Sequence, residues 1–148
     1  MALSDLIKQI KNDEQFRARR YLDSEGYPTI GYGTKLPLSA QEIALVSDPE
    51  NLTEEEADKL LFSRLSAMMK ELNAVKGEVI EKLSDNRKEV IYNMLYQLGV
   101  KGLLGFKRMW LALEAGDYAK AADEMKDSKW YYQTPARAKR LIDKMLEG

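Results

Sequence analysis

Four carboxylic acids lie within a short stretch of the chain that contains few residues able to form a core. The stretch reads NDEQFRARRYLDSEGYPTIGYGTK, residues 12–35, and its acids are Asp13, Glu14, Asp23 and Glu25. The chain contains no histidine, which is the commonest general base in enzymes. Acid–base chemistry in this chain therefore falls to carboxylates, lysine or tyrosine, and these four acids are the first candidates.

Glu14 stands where the pattern of the first predicted helix calls for an apolar residue. Leu6, Ile7 and Ile10 follow helical spacing, and Glu14 comes four residues after Ile10 and seven after Ile7. Burial of a carboxyl group raises its pKa, which is what a general acid needs near neutral pH. The alternative is that the helix ends before Glu14, which is then a solvated surface acid, and the helical pattern alone does not decide between the two.

A predicted β-hairpin follows this helix and carries the second candidate acid. Around the turn SEGYP, we expect Asp23 and Thr29 to lie roughly opposite each other. In the returning strand TIGYG, one predicted face consists of Thr29 and two glycines, and the other carries Ile30 and Tyr32. Glycine in a strand often marks close approach by a ligand or by another backbone. A flexible hairpin whose glycines serve only the turn is the alternative.

Two acids and a hydroxyl group in this order are typical of an inverting glycosidase. Such an enzyme uses one carboxylic acid to protonate the leaving oxygen and a second carboxylate to activate a water molecule. The sequence therefore favours a glycosidase in which Glu14 and Asp23 are the paired acids.

The composition is typical of one soluble globular domain. The chain has 148 residues, of which 45% are hydrophobic and 32% are charged. No apolar run approaches the roughly 18 residues of a membrane span, and the first residues, MALSDLIKQIKNDE, lack the apolar core of a signal peptide. We therefore expect synthesis in the cytosol without stable membrane insertion. A net charge of −1 argues against a dedicated nucleic-acid binder, and the absence of cysteine excludes disulfides.

The remaining pattern predicts a mostly helical α+β fold with two lobes in a single domain, residues 1–148. We expect a β lobe at about 15–52, a connecting helix at about 54–72, and a helical lobe at about 74–148 on which a helix at residues 3–14 packs. The cleft is expected between the hairpin and the helices, with hinge opening along the connecting helix.

Several local signals support these elements. Residues 39–46 predict a short helix, and Thr53 with Glu56 forms a capping box at the start of the connecting helix. GEVIEKL predicts a separate short helix, and Gly99 is expected to stop the helix that follows it. Thr134 is the predicted N-cap of the last helix, with Pro135 in its first turn.

The stretch DEQFRARRYLDSEGYPTIGYG resembles the catalytic signature of the phage-type lysozymes, the endolysins of glycoside hydrolase family 24. In that signature a glutamate is followed after eight residues by an aspartate and after five more by a threonine, and Glu14, Asp23 and Thr29 fit it without a gap. YNMLYQLGVKGLLGF and SKWYYQTPARAKRLI are similar to segments of that family's C-terminal lobe. The resemblance covers nearly the whole chain and becomes vague only at residues 36–52 and 73–84.

The resemblance implies a muramidase that hydrolyses the β-1,4 bond between N-acetylmuramic acid and N-acetylglucosamine in bacterial peptidoglycan. It implies that Glu14 is the general acid, that Asp23 with Thr29 holds and activates the attacking water, and that the anomeric carbon is inverted without a metal or any cofactor.

Further residues are predicted around these three. Those expected to bind substrate are Tyr32, Gln97, Phe106 and Gln133. Arg137 is expected to pair with Glu14 and so to support the acid, and Asp13 is expected to pair with Arg140 beside them.

The resemblance also implies a biological role. An endolysin of this family lyses the host cell at the end of phage infection, and its members without an N-terminal release segment need a separate membrane-pore protein, a holin. We therefore expect a monomer that stays in the host cytoplasm until release and then acts on peptidoglycan of the periplasmic wall.

Two features depart from the family pattern. Thr34 stands where members often carry a histidine, and the net charge of −1 contrasts with the basic character of better-known members. Residues 126–144, with six basic and two acidic side chains, are a candidate surface for an anionic wall, although a solvated helical face is the alternative.

Two other functions stay open at this point. A lytic transglycosylase cleaves the same bond with one glutamate and no water, and a non-enzymatic helical module binds glycan or a partner protein without cleaving it. The binding module predicts that Glu14→Gln leaves function intact.

Overall fold

The computed structural model describes all 148 residues, which form a mostly helical α+β fold with one small sheet. The elements in chain order are α1 Leu3–Glu14, β1 Arg17–Leu22, β2 Pro28–Gly31, β3 Thr34–Lys35, α2 Ala40–Ile43, α3 Glu54–Glu81, α4 Asp85–Leu104, α5 Lys107–Glu114, α6 Tyr118–Lys126, α7 Lys129–Gln133 and α8 Pro135–Glu147. The predicted fold class, a mostly helical α+β protein with two lobes, is confirmed.

Two compact units make up the chain. The sheet unit is Leu3–Ala67, and the helical unit is Met68–Gly148 together with Met1–Ala2. The first helix belongs to the sheet unit, and the prediction that it packs on the helical lobe stays a prediction. None of the helices combines the length and the hydropathy that crossing a membrane requires.

The sheet unit contains a three-stranded antiparallel sheet in the order β1-β2-β3. In its register Tyr21 lies opposite Thr29, and Ile30 lies opposite Thr34. Thr34, the residue at the position where the family named above often has histidine, is fully buried. The core of this unit consists of apolar side chains of α1, β2 and α3, each at most 1% exposed: Leu6, Ile10, Ile30, Ala57, Leu60, Leu61 and Leu65.

Gly31 shows why this returning strand needs glycine. A Cβ on Gly31 would lie 3.2 Å from Cβ of Ala57 and 3.3 Å from Cδ1 of Leu52, and its φ is +69°. The close approach predicted for this strand is therefore made by side chains of the protein itself, which a larger residue would push away.

Helix α3 is longer than the sequence predicts. The capping box at its start is confirmed, because the Glu56 N–H donates to Thr53 Oγ1 at 3.1 Å and the Thr53 N–H donates to Glu56 Oε1 at 3.0 Å. The predicted end near residue 72 and the predicted separate helix GEVIEKL are wrong, since α3 continues to Glu81. Gly77 is the only glycine in α3, and a single glycine inside a helix costs only about 1 kcal/mol of stability.

Two local predictions for the helical unit concern Gly99 and the start of α8. Gly99 interrupts α4 with a φ of +77°, as predicted. Thr134 is the N-cap residue of α8 and Pro135 follows in its first turn, as predicted, but the Thr134 side chain makes no capping hydrogen bond. The hydroxyl instead accepts from Gln97 Nε2 and donates to the Trp130 carbonyl.

A buried ion pair fastens α2 to α3 within the sheet unit. Glu42 is 7% exposed, and Arg64 donates to its two carboxylate oxygens from Nε at 2.9 Å and from Nη2 at 2.7 Å. Arg64 also donates to the Lys35 carbonyl. Burial acts to raise the pKa of Glu42, but hydrogen bonds from Arg64 and Ser39 outweigh burial and hold that pKa below its usual value.

Replacing Arg64 with leucine should destabilise the sheet unit by about 3–5 kcal/mol near pH 7, because it leaves Glu42 buried without its charged partner. The folded-state pKa of Glu42 is lowered, so this pair stabilises the fold fully above the unfolded-chain value of about 4.3 and ceases to do so as pH falls through the lower folded value. Urea unfolding of both chains from pH 7 downwards should show the difference shrinking in acid.

The matched control is Arg20→Leu, since Arg20 pairs with Glu50 at 3.5 Å on an exposed surface. It should cost no more than about 0.5 kcal/mol at any pH. Equal losses for the two variants, or a loss at Arg64 that does not change with pH, would contradict a buried, charge-dependent pair.

Candidate active site

Glu14 is the last residue of α1, so the alternative in which the helix ends before it is excluded. The next residue, Gln15, has a left-handed φ of +63° and its N–H donates to the Lys11 carbonyl at 2.9 Å. The Gln15 side chain donates to the Asn12 carbonyl at 2.7 Å, which further closes the helix end. Glu14 is half-buried, and the chain turns sharply immediately after it.

The carboxyl group of Glu14 lies against Gly33, in the space that a side chain at that position would fill. A Cβ on Gly33 would lie 2.3 Å from Oε2 and 2.5 Å from Cδ of Glu14. Gly33 also has a φ of +70°, which favours glycine for backbone reasons. Glycine at this position therefore leaves open the space that the Glu14 carboxyl occupies.

Asp23 closes the turn of the hairpin with its own side chain. Its Oδ1 accepts from the N–H of Glu25 at 2.9 Å and from the N–H of Tyr27 at 2.8 Å, and its N–H donates to the Tyr27 carbonyl at 2.9 Å. The prediction that Asp23 lies opposite Thr29 is wrong, because Thr29 pairs with Tyr21 and the Asp23 N–H bonds to the Tyr27 carbonyl. An aspartate that bonds to the backbone two residues on builds such a turn itself.

Thr29 is joined to Asp23 through a single residue. It is 1% exposed, and its hydroxyl donates to the Tyr27 carbonyl at 2.7 Å. The same carbonyl accepts from the Asp23 N–H, so the backbone of Tyr27 holds both predicted residues. Because the hydroxyl hydrogen of Thr29 is used, its oxygen remains only as an acceptor.

Tyr21 is a member of this site that the sequence reasoning missed. Burial raises the pKa of Tyr21, the negative charges of Glu14 and Asp23 raise it further, and Arg17 and the Gly33 N–H oppose them. The Arg17 guanidinium lies 4.6 Å from the centre of the Tyr21 ring. Its place opposite Thr29 depends on the hairpin register, which the sequence reasoning placed incorrectly.

Tyr32, a predicted substrate-binding residue, is 6% exposed. Its ring packs on Phe16 at 5.5 Å between centres, and Lys11 Nζ lies 5.0 Å above it. Lys11 in turn forms an ion pair with Asp58 at 2.7 Å. The ring thus contributes to packing within the sheet unit, and its contact with substrate stays a prediction.

Gln97 orients an aromatic residue in the helical unit. Its Oε1 accepts from Trp130 Nε1 at 2.9 Å, and its Nε2 donates to Thr134 Oγ1 at 3.3 Å. Phe106 meets the edge of the Trp130 ring at 6.2 Å between centres. Both ends of the Gln97 amide are therefore engaged in supporting the residues around it.

An open cavity in the helical unit brings two predicted residues together. Its volume is about 560 Å³, and Phe106, Trp130 and Gln133 line it. This size is within the range of ligand pockets. Charged residues of both signs, including Arg108 and Glu124, also line it.

Arg137 is 9% exposed and has a partner within the helical unit. Its Nε donates to Asn93 Oδ1 at 2.9 Å, and its Nη2 donates to the Asn93 carbonyl at 3.4 Å. The predicted pairing of Arg137 with Glu14 joins residues of different units and stays a prediction.

The predicted pair of Asp13 with Arg140 also joins the two units. Asp13 is half-buried in α1, and Arg140 is exposed on α8. This pair likewise stays a prediction.

Comparison with known proteins decides the family. A match to the family "Phage lysozyme" covers residues 11–145. The chain belongs to the phage lysozyme family. The match includes Glu14, Asp23 and Thr29, and it makes the chain a lysozyme-type glycosidase.

Individual relatives agree with this assignment. The lysozyme is 32% identical to "Probable T4-type lysozyme 1" of Dictyostelium discoideum, over 99% of this chain and 96% of that protein. It is 28% identical to "Probable T4-type lysozyme 2" of the same organism, with the same coverage. It is also 32% identical to "Pre-baseplate central spike protein Gp5" of Enterobacteria phage T4, over 97% of this chain but only 28% of the length of that protein.

Replacing Gly33 with alanine should abolish most of the lysozyme's activity while changing stability only modestly. The added Cβ would overlap the flexible Glu14 carboxyl, which must then move away. A displacement of about 1 Å at a reacting group can cost about 100-fold in rate. Release of soluble fragments from bacterial cell walls, measured per folded molecule, checks this.

Gly116→Ala is the matched control, because Gly116 has nearly the same φ, +69°, and open space where the Cβ would be. Both variants should lose about 1–2 kcal/mol from backbone strain, but only Gly33→Ala should lose activity. A Gly33→Ala enzyme as active as Gly116→Ala would show that this contact does not position Glu14.

Proposed function

We propose that this lysozyme is a muramidase, which hydrolyses the β-1,4 bond between N-acetylmuramic acid and N-acetylglucosamine in bacterial peptidoglycan. The observation that carries the proposal is the Glu14 carboxyl held against Gly33, in the same compact unit as the turn-bound Asp23 and the Thr29 hydroxyl. Membership of the phage lysozyme family supports the same substrate.

Glu14 is the general acid in this proposal. It is half-buried and is the last residue of α1. In the reaction its proton passes to the glycosidic oxygen as the bond from that oxygen to the anomeric carbon breaks.

Asp23 and Thr29 hold the attacking water. The Thr29 hydroxyl donates a hydrogen bond to the Tyr27 carbonyl. Towards a water molecule, its oxygen therefore acts only as an acceptor, as the Asp23 carboxylate does. A water between them donates one hydrogen to each, which leaves a lone pair directed away from both and towards the anomeric carbon. As the new carbon–oxygen bond forms, Asp23 takes the proton of the water.

This division of roles implies inversion at the anomeric carbon. The water attacks from the face opposite the leaving oxygen, and no carboxylate bonds to the sugar. At the end Glu14 is ionised and Asp23 is protonated, and exchange with solvent restores both. We propose that the cavity lined by Phe106 and Gln133 takes part of the same polymer in the helical unit, with Gln97 holding its wall in place.

For the biological role, we propose an endolysin that lyses the host cell at the end of phage infection. It acts as a monomer on the periplasmic wall and leaves the host cytoplasm through the pore made by a holin. Membership of the phage lysozyme family supports this role.

Digestion of purified peptidoglycan by the native chain and by Glu14→Gln tests the activity. The native chain should release fragments with reducing muramic ends, identified by mass spectrometry. Glu14→Gln should retain the fold and lose at least about 100-fold in rate, since it removes the general acid.

Glu55→Gln is the control, because Glu55 is an exposed acid of the sheet unit whose side chain is 83% exposed. It should digest the wall at the native rate. Anhydro ends would contradict hydrolysis and support a transglycosylase, and an active Glu14→Gln chain would remove Glu14 from the mechanism. An inert native chain would contradict the enzyme and support a binding module.

A further inference from the structure

A lysine projects from the same face of the sheet as the proposed water-binding hydroxyl. Lys35 in β3 lies directly opposite Thr29 in β2. Opposite residues of an antiparallel pair project from one face, with their Cβ atoms about 4.5–5.5 Å apart. Thr29 is almost fully buried, whereas Lys35 is exposed. The sheet therefore places a cationic side chain in solvent beside the Thr29 position.

Tyr27 joins this lysine to the proposed water-binding pair. The Nζ atom of Lys35 lies 5.0 Å from the centre of the Tyr27 ring, a distance at which a cation is attracted to an aromatic face. The carbonyl of Tyr27 accepts from the Thr29 hydroxyl at 2.7 Å and from the Asp23 N–H at 2.9 Å. The backbone of Tyr27 thus holds the two residues assigned to the water, and its ring contacts the ammonium group of Lys35.

The backbone that carries Lys35 is also fixed. The next residue, Leu36, donates its N–H to the Pro28 carbonyl at 2.9 Å. The Lys35 carbonyl accepts from Arg64, and Arg64 in turn binds the buried Glu42. Because its backbone is held and its ammonium group contacts a ring, this lysine has less conformational freedom to lose when it binds a ligand.

Local cations have to supply the attraction of this chain to an anionic polymer. The net charge is −1, so the field of the whole chain does not draw it to negative charge. A carboxylate that meets the Lys35 ammonium forms a charge-assisted hydrogen bond, which is stronger than a neutral one.

We propose that Lys35 is a specificity-determining residue that binds a carboxylate carried by the muramic acid residue at the cleaved bond. This proposal rests on the proposed muramidase function. In peptidoglycan the lactyl group of N-acetylmuramic acid ends in its own carboxylate or in a peptide that bears carboxylates, and N-acetylglucosamine carries neither. The substituent and the anomeric carbon belong to one sugar ring, which matches a cation beside the residue that holds the attacking water. Lys35 therefore favours peptidoglycan over an uncharged β-1,4 glycan of N-acetylglucosamine.

Binding by chains that lack the general acid tests this contact directly. In a Glu14→Gln background, Lys35→Gln should weaken the binding of soluble peptidoglycan fragments about 3- to 10-fold at low salt, because one accessible ion pair is lost. The same fragments with every carboxyl group converted to an amide should bind both chains equally. Isothermal titration calorimetry measures both affinities.

Glycan chains stripped of peptide by an amidase separate the two sources of the carboxylate, since their lactyl carboxylates are free. Weaker binding of these chains by Lys35→Gln assigns the contact to the lactyl carboxylate. A loss confined to peptide-bearing fragments assigns it to the peptide.

Kinetics of the cleaving chain provide the second readout. Lys35→Gln should raise KM by the same factor and leave kcat near the native value, since the contact is made equally in bound substrate and in the transition state. Lys35→Arg keeps the charge and should keep most of the affinity. Lys59→Gln is the matched control, because Lys59 is a lysine of α3 in the same unit that is 53% exposed and lies 3.9 Å from Glu55. It should leave KM unchanged.

The outcomes separate this proposal from the function on which it rests. Native affinity in Lys35→Gln overturns the proposal, as does an equal loss on amidated and unmodified fragments. An equal rise of KM in Lys59→Gln also overturns it, because net charge alone would then account for the effect. A native chain that releases no reducing ends overturns the hydrolase instead, and the affinities in the Glu14→Gln background still decide the carboxylate contact.

Discussion

The Glu14 carboxyl lies in space that only glycine leaves open at Gly33, and the geometry of the site depends on this contact. The contact requires that α1 extend to Glu14 and end there. The left-handed φ of Gln15 ends the helix at this point. The strand connection must in turn present a residue without a side chain, with a positive φ. A helix end and a strand connection thus fix one carboxyl group, although neither element alone determines where it lies.

The second acid, Asp23, is held by hydrogen bonds to the backbone of Tyr27. Because Asp23 and Thr29 both bond to Tyr27, an acid and a hydroxyl are kept together by one residue of a turn rather than by strand pairing. The negative charges of Glu14 and Asp23 both raise the pKa of Tyr21. The proposed water-binding pair and the proposed acid therefore lie in a single compact unit.

Local sequence rules predicted those features that depend on neighbouring residues. The capping box of Thr53 was predictable because both of its hydrogen bonds close within three residues. Predictions failed at the hairpin and at the capping hydrogen bond of Thr134. The Asp23 side chain bonds to its own turn, and Tyr21 rather than Asp23 lies opposite Thr29. The Thr134 hydroxyl binds the Gln97 side chain, 37 residues away in the chain, instead of an N–H group of α8. The sequence does identify the types of the proposed catalytic residues, but their mutual geometry depends on the register of the hairpin.

The most direct test of a hydrolase that uses a water held by Asp23 and Thr29 is digestion of purified peptidoglycan in ¹⁸O-enriched water, with mass spectrometry of the first products. A water-dependent cleavage assisted by Glu14 should place the heavy isotope at the new reducing muramic ends, in amounts above those from slow exchange of finished product. Fragments with unlabelled anhydro ends would contradict it, because the bond would then break without water and Asp23 would have no proton to accept.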